Sequence, residues 1–559
     1  MAVSLAALLV AVPAQAETPA PSTVSMLEAM VAAGVLTQEK AQSILADAKA
    51  RDAARAEAET PPPLPDGAKR VAYVPEIVKQ ELREEIRRDV MAKAKAENWA
   101  APNSHPEWTE RITFTGDLRS RYEGTYFPDG NATGQTNQID FGDLNSGSPL
   151  DLADTTALST GIPYRNADQN RSRLRLRARL GVTADLGEGF SSGLRIATGS
   201  GSAPVSTNQT LGGSGGNFSK YQLWLDRGFV RWDAMDALDG VWGLDKETAA
   251  LGIDLGRFDN PFFSTDLIWD GDLGFDGVAV GGSYEVAEGI TPFLTAGAFP
   301  VHNTDFDLSS TNASKTASRD KWLYGVQGGT DWKPSKTLGF KAGAAYYHFK
   351  DMEGERADCS YLLTTCASDS SRPAFAQTGN TYMALRNNIG RTAATDPDYQ
   401  YYGLATPFHE LALTGRVDYD GFGAVRLTVD GEFVKNLAFD ENEIQAALPE
   451  NNTDGTTGLF DGGDTGYLLR LTVGSPALRK RWDWQTSLAY KYVETDAVVD
   501  GLTDSDFGLG GTNLKGFLLG GDLALARNVS TSLRWMSADN IASAPFSVDT
   551  VQVDLKARF

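Results

Sequence analysis

The chain has 559 residues, 57 of them glycine, with 18 tyrosines, 11 tryptophans, only 2 cysteines and a formal net charge of -22. That acidity excludes a nucleic-acid partner, whose phosphates need a basic surface, and the glycine and aromatic content suits many short strands better than helix bundles. No stretch approaches the ~18 to 20 continuous apolar residues that a spanning helix requires.

Taken in order, residues 1–16 hold an apolar run from Val3 to Val12 and end in Ala14-Gln15-Ala16. This small-x-small form is what a signal peptidase reads, so a signal peptide and a mature chain starting at Glu17 are expected. Two Ala-rich helices are predicted over 24–33 and 38–58, separated at Gly34, with Thr37 placed to cap the second. The run Pro61-Pro62-Pro63-Leu64-Pro65 stops them and acts as a stiff linker. Val78, Leu82, Ile86 and Val90, at steps of four, predict a third helix over 75–97 whose narrow apolar stripe suits a coiled coil or a docked surface helix. The expected division is a leader at 1–16, a helical periplasmic segment with its linker at 17–70, an amphipathic helix and lead-in at 71–108, and a β region at 109–559.

After Trp108 the period becomes two and stays so to the last residue. Strands are predicted near 111–122, 171–183, 190–199, 221–232, 249–258, 277–287, 290–299 and 321–333. They continue near 338–349, 409–420, 422–435, 465–474, 482–493, 514–525, 529–537 and 548–559. Each has about the 9 to 14 residues that a tilted strand uses to cross a membrane and its rims. Short links at 185–189, 288–289, 334–336, Gly421, 476–480 and 527–528 alternate with long ones at 124–170, 200–220, 259–276, 300–320, 350–408, 436–464 and 494–513. A shorter outer link at 538–547 completes the series, and one turn, at 233–248, is longer than expected. Alternating turns and loops predict an all-β fold, an antiparallel transmembrane β-barrel of about sixteen strands.

The faces follow the same logic. Val551, Val553, Leu555, Ala557 and Phe559 share one side of the last strand, while Gln552, Asp554, Lys556 and Arg558 share the other. Charged faces recur at Arg111, Asp117, Arg119 and Arg121, and again at Arg426, Asp430 and Glu432. About sixteen strands closed around such a face enclose a water-filled lumen, which points to passive diffusion of small hydrophilic solutes or ions.

Two stretches resemble a known family. One runs from Val74-Pro75-Glu76-Ile77-Val78-Lys79 past Asn98-Trp99-Ala100-Ala101-Pro102-Asn103 and Pro106-Glu107-Trp108 to Gly116-Asp117-Leu118-Arg119; the other is Leu255-Gly256-Arg257-Phe258-Asp259-Asn260-Pro261-Phe262, followed by Trp269-Asp270. Both are similar to the bacterial "putative porin" family, over roughly residues 70–559. The resemblance implies a general or semi-selective channel in the outer membrane of a Gram-negative bacterium, surrounded by lipid and lipopolysaccharide. It also implies that the terminal Phe559 is the aromatic signal read by the barrel-assembly machinery, and that the protein is a homotrimer, which the 75–97 helix could support.

Arg171, Arg173, Arg175, Arg177 and Arg179 alternate with Leu174, Leu176, Ala178 and Leu180, so the five arginines share one face of a strand. Lipid would reject a guanidinium by ~2 to 4 kcal/mol at the midplane, which assigns them, with Arg119 and Arg121, to the lumen. They read either as a ladder attracting anionic or dipolar solutes or as cations bracing the wall through carboxylates. The 259–276 link carries Asp259, Asp266, Asp270, Asp272 and Asp276 among Phe262, Phe263 and Trp269. General porins fold their third long loop inward, and by that resemblance Asp266, Asp270 and Asp272 are constriction-loop candidates opposite the arginines. The alternative is a solvated surface loop; a calcium site does not fit, since the spacing departs from the EF-hand template. Cys359 and Cys366, close together in the longest loop of an exported protein, are expected to form a local disulfide.

No catalytic, metal or cofactor site is expected. Gly212-Gly213-Ser214-Gly215-Gly216 matches G-x-S-x-G but lacks the strand-to-helix elbow that exposes a nucleophile. The histidines at 105, 302, 348 and 409 have no ligand spacing. An energised receptor would need a plug of over a hundred residues, and 17–110 is too short. A structural or adhesive protein whose helices tether the envelope to peptidoglycan is the competing reading.

Overall fold

The computed structural model describes residues 30–32, 36–56, 83–90, 93, 107–154, 158, 161–213, 215–240, 245–303 and 319–559. The chain divides into two compact units, Met1–Glu110 and Arg111–Phe559. In the first, a helix spans Gln38–Ala56; Leu36 and Ala41 are buried there against Met30, Val31 and Leu45. Residues 83–90 of the predicted 75–97 helix are helical, and Lys40 meets Glu85 at 3.5 Å. The leader at 1–16, most of the 24–33 helix, the Pro61 to Pro65 linker, the Asn98 to Asn103 stretch and Ser214 lie outside the described residues. Among the described residues no helix is long and apolar enough to cross a membrane.

The second unit is a closed barrel of sixteen antiparallel strands. They are β1 (Ile112–Tyr126), β2 (Arg171–Gly187), β3 (Phe190–Ala197), β4 (Trp224–Asp233), β5 (Ala249–Phe258), β6 (Phe275–Tyr284), β7 (Ile290–His302) and β8 (Lys321–Ser335). Then follow β9 (Leu338–Lys350), β10 (Phe408–Phe422), β11 (Val425–Asn436), β12 (Thr465–Gly474), β13 (Trp484–Val493), β14 (Leu514–Ala526), β15 (Val529–Asn540) and β16 (Ser547–Arg558). Each pairs with its sequence neighbours, and β1 closes the ring by pairing with β2 (Arg119 opposite Arg177) and with β16 (Arg119 opposite Lys556). Phe559 extends the seam, its N–H and C=O exchanging bonds with Gly116 at 3.0 and 2.8 Å.

Side-chain alternation fixes which face is which. On β16, Val553 and Leu555 are exposed while Gln552 and Asp554 are buried. The outer surface carries a band of exposed Leu118, Val280, Leu413, Leu469, Leu488, Leu519 and Leu533 between two sets of exposed aromatics. Phe114, Tyr284, Trp332, Phe422 and Trp484 ring the turn end; Tyr126, Tyr324, Tyr346, Tyr467 and Trp535 ring the loop end. An apolar belt between aromatic girdles is the signature of a barrel seated in a bilayer.

Some boundaries move. The turn expected at Gly421 lies at Gly423 and Ala424, where Gly423 takes φ 73°, because Gly421 is still in the strand, with the Tyr419 ring over it. β1 continues to Tyr126, since Glu123 and Thr125 still point inward and are buried. The long 233–248 link holds a short helix, Met235–Leu238, whose Met235 N–H is accepted by Asp233 at 3.2 Å.

The polar interior expected from the sequence is interrupted toward the loop end, where Glu123, Lys321 and Glu410 share the inward face with apolar side chains. The apolar inward positions there are Phe299, Leu323, Tyr347, Phe349, Phe408, Val434, Leu468 and Val493. They form one core with Leu267, Ile268 and Trp269 of the loop at 259–274 (L3) and with Val498, Val499 and Phe507 of the loop at 494–513 (L7). Loops that fold inward must bury apolar side chains somewhere, and here the wall supplies the other half of the core. The loop at 351–407 (L5) joins this core through Tyr382, which stacks on Phe141 at 4.4 Å. L5 is tied locally by the Cys359–Cys366 disulfide and by Arg386 on Asp369 at 2.6 Å. Glycines in the wall make room for the loop rings: a Cβ at Gly325 would lie 2.5 Å from the Phe262 ring. Gly325→Val is therefore expected to lower stability by ~1 to 3 kcal/mol, measured as an earlier midpoint in urea unfolding followed by tryptophan fluorescence; an unchanged midpoint would show that the ring is not held there.

Candidate constriction of the lumen

L3 leaves β5 at Asp259, which accepts from Arg195 (3.0 Å) and Arg227 (2.7 Å). It then crosses the bore. Phe263 exchanges two bonds of 2.7 Å with Gln327 on β8, and Thr265 donates through N–H and hydroxyl to Glu432 on β11 at 3.0 and 2.7 Å. Asp266 accepts from Arg470 on β12 at 2.5 Å, and the Asp266 carbonyl accepts from Lys491 on β13 at 3.0 Å. The loop returns along L7, where Asp270 N–H reaches the Leu502 carbonyl (2.9 Å) and Thr503 donates to the Leu267 carbonyl (2.7 Å). Asp272 ends the crossing, accepting from Thr207 N–H and hydroxyl at 3.1 and 3.0 Å and from Arg177 and Arg179 at 3.4 and 3.5 Å. L3 is thus a bar of backbone fastened to both walls by charge-assisted bonds.

The arginine face is largely paired. Arg173 and Arg175 reach Glu123 at 2.5 and 3.3 Å, and Arg177 and Arg179 reach Asp117 at 3.0 and 2.6 Å. Arg121 is held by Asp554 (2.7 Å) and by Asp506 of L7 (3.0 Å). Arg119 donates to Asn208 at 2.5 Å, and Arg171, exposed at the outer end of β2, has no carboxylate partner among the described residues. Five guanidiniums, at 121, 173, 175, 177 and 179, meet five carboxylates, at 117, 123, 272, 506 and 554, which leaves that part of the ladder close to neutral, while Arg119 rests on the Asn208 amide oxygen.

The three loop candidates therefore occupy three different environments. Asp272 faces the ladder. Asp266 faces the opposite wall: burial works to raise its pKa, but Arg470 and Lys491 outweigh it and hold the carboxyl below its ordinary value. Asp270 bonds to no arginine among the described residues; its oxygens accept from Asp272 N–H (2.7 Å) and Ser505 N–H (2.9 Å), which clasps L3 to L7. Burial and the nearby Asp504 push Asp270 up to about 8. Burial also raises Asp504, Asp500 (to about 7) and Asp496 (to about 6) in L7. Asp506 goes the other way, since Arg121 and Arg534 overcome its burial. Sequence reading placed L7 as the long link at 494–513 but gave it no role in the lumen, although it carries Asp496, Asp500, Asp504 and Asp506. It also missed the far-wall cations Arg470 and Lys491. Their inward parity on β12 and β13 was the available signal.

Beneath the crossing lie polar cavities of about 250 Å³, lined by Asp266, Arg470, Asp506, Asp522 and Arg534 among others, and about 370 Å³, around Arg416, Asp418, Arg426 and Asp430. The family model described as "Putative porin" matches residues 20–559. The chain belongs to that family. It is a porin-type channel of the Gram-negative outer membrane. Solved structures similar to this porin include the outer membrane channel DcaP of Acinetobacter baumannii, at 9% identity over 80% of this chain and 97% of that one, TM-score 0.37. Others are Pseudomonas putida OprB at high pH, at 11% identity over 81% and 95%, TM-score 0.41, and an anion-selective porin from Comamonas acidovorans, at 11% over 80% and 99%, TM-score 0.35. No curated protein matches the sequence.

The clasp has a pH dependence of defined sign. Between an unfolded carboxyl pKa of about 3.9 and the folded value of about 8, the porin retains a proton on Asp270 that the unfolded chain has lost, so stability falls as pH rises and the full penalty is reached above about 8. Asp500 and Asp496 add in the same direction at lower pH. Amide protection of Ser505 and Asp272, corrected for intrinsic exchange, is expected to be lower at pH 9 than at pH 6.

Proposed function

We propose that this porin conducts small hydrophilic solutes and ions by passive diffusion, with L3 and L7 setting the aperture. The supporting observation is the wall-to-wall course of L3, with Asp266 on Arg470 at one side and Asp272 on Arg177 and Arg179 at the other. On this reading Arg119, Arg121 and Arg171 to Arg179 line the path, Asp266 and Asp272 border the constriction, and Asp270 braces it. Nothing in this arrangement asks for a cofactor or a catalytic step. Single-channel recording in planar bilayers tests it: steady ohmic steps are expected, smaller than an unobstructed sixteen-strand barrel would give. Replacing Asp266 and Asp272 together by Asn removes two fixed negative charges, and the reversal potential in a salt gradient is expected to move toward anions; an unmoved potential would place the ion path elsewhere.

The leader at 1–16, a helical periplasmic segment at 17–70, an amphipathic helix and lead-in at 71–108, and recognition of Phe559 by the assembly machinery belong to the same proposal. Phe559 supports the last point, because its backbone is paired while its ring stays 71% exposed. Trimeric assembly is supported by the loop at 198–223, where Phe218 is fully exposed (105%) and Leu211 and Leu223 are exposed as well. Asn217 and Phe218 both hold positive φ, 51° and 60°, a conformation that costs free energy for a bulky residue. A second copy covering Phe218 would account for both facts. Phe218→Asp is expected to convert trimers to monomers in sedimentation of detergent-solubilised protein.

A further inference from the structure

Resting on the diffusion reading above, we propose that the lumen contains a subsite for aromatic carboxylates, built from Lys341, Phe263 and Phe293 beneath the root of L3. A cavity of about 480 Å³ opens there between β5, L3 and β6 to β9. Its size accommodates a single substituted ring with its water. Phe263, pinned by its two bonds to Gln327, and Phe293 stand at right angles, ring centroids 6.5 Å apart. The opposing wall is Gly281, Gly282, Ser283 and Thr295, with no bulky side chain to fill the space.

Lys341 is what gives the cavity its chemistry. Its ammonium lies 4.5 and 5.0 Å from the two ring centroids and meets no carboxylate among the described residues. Its cross-strand neighbours are Asp331, whose carboxylate lies 3.7 Å from Lys333, and Arg416, 3.8 Å from Asp418. Several arginines elsewhere in the lumen are closely engaged by carboxylates: Arg121 on Asp554 at 2.7 Å, Arg179 on Asp117 at 2.6 Å, Arg470 on Asp266 at 2.5 Å. A solute carboxylate reaching those arginines must displace a protein carboxylate. At Lys341 it displaces only water, and gains a cation with three N–H donors to offer. A ring carried on the same solute can lie against Phe263 and Phe293 and bury apolar surface. A short aliphatic acid collects only the charge and a neutral aromatic collects only the ring, so the cavity favours the molecule that has both.

Titration calorimetry of the folded full-length protein in detergent, with benzoate, acetate and benzyl alcohol as probes, decides this. Benzoate is expected to bind tighter than either of the others. Lys341→Gln should weaken benzoate by roughly tenfold, Lys341→Arg should largely restore it, and Phe293→Leu should weaken benzoate while leaving acetate unchanged. Heat-modifiable migration confirms that each variant is folded. Equal affinity for benzoate and acetate, or benzoate binding indifferent to Lys341→Gln, overturns the subsite. Conductance in potassium chloride tests the underlying reading separately, since benzoate binding without conductance would remove the channel and leave the subsite standing.

Discussion

The bilayer offers no hydrogen-bond partner, so every backbone N–H and C=O of a spanning strand must be satisfied by another strand. The pairing of β1 with both β2 and β16 meets that demand, and much else follows from it. A closed antiparallel ring forces turns and loops to alternate and forces each strand to divide its side chains between lipid and lumen. It also places Arg119 and Arg121 between the arginines of β2 and the acids of β16. The ladder has two sources: Arg173 to Arg179 pair with Glu123 and Asp117 across the neighbouring strands β1 and β2, and closure adds Arg121 on Asp554 and Asp506 from the other end of the chain.

Inside the ring, magnitudes decide which charges are free to act. Isolated cations in a narrow lumen would repel one another and bind anions strongly, but most of these arginines share carboxylates at 2.5 to 3.5 Å. Charge-assisted, largely buried pairs of this kind hold geometry well and contribute little net field. The lattice therefore serves first as a brace for L3 and L7. Lys341 is set apart because an aromatic pair takes the place that a carboxylate takes elsewhere.

Strand positions were readable from the sequence because an apolar outward face alternates with a charged inward one, as in β16 and in the arginine run of β2. The signal fails where both faces are apolar or aromatic: Ala345-Tyr346-Tyr347-His348-Phe349 of β9 gives no hint that Tyr347 and Phe349 belong to an interior core. The constriction was legible in part. An acidic loop between β5 and β6 could be picked out, yet nothing local distinguishes Asp272, which finds arginines, from Asp270, which finds backbone amides. The inward role of L7 was hidden for a different reason, since Asp506 meets Arg121, 385 residues away. Pairings that exist only after closure leave no mark on a linear pattern.

The interior core toward the loop end has a consequence for the order of assembly. Wall and loop residues contribute to it in similar numbers, so the loop side chains are buried only against the wall. The wall half does not exist until the strands have closed in the membrane, so L3, L5 and L7 condense last, onto a finished cylinder, from the outer side. The same dependence runs in reverse on denaturation. The barrel ladder, by contrast, is hydrogen-bonded strand to strand and does not depend on the loops.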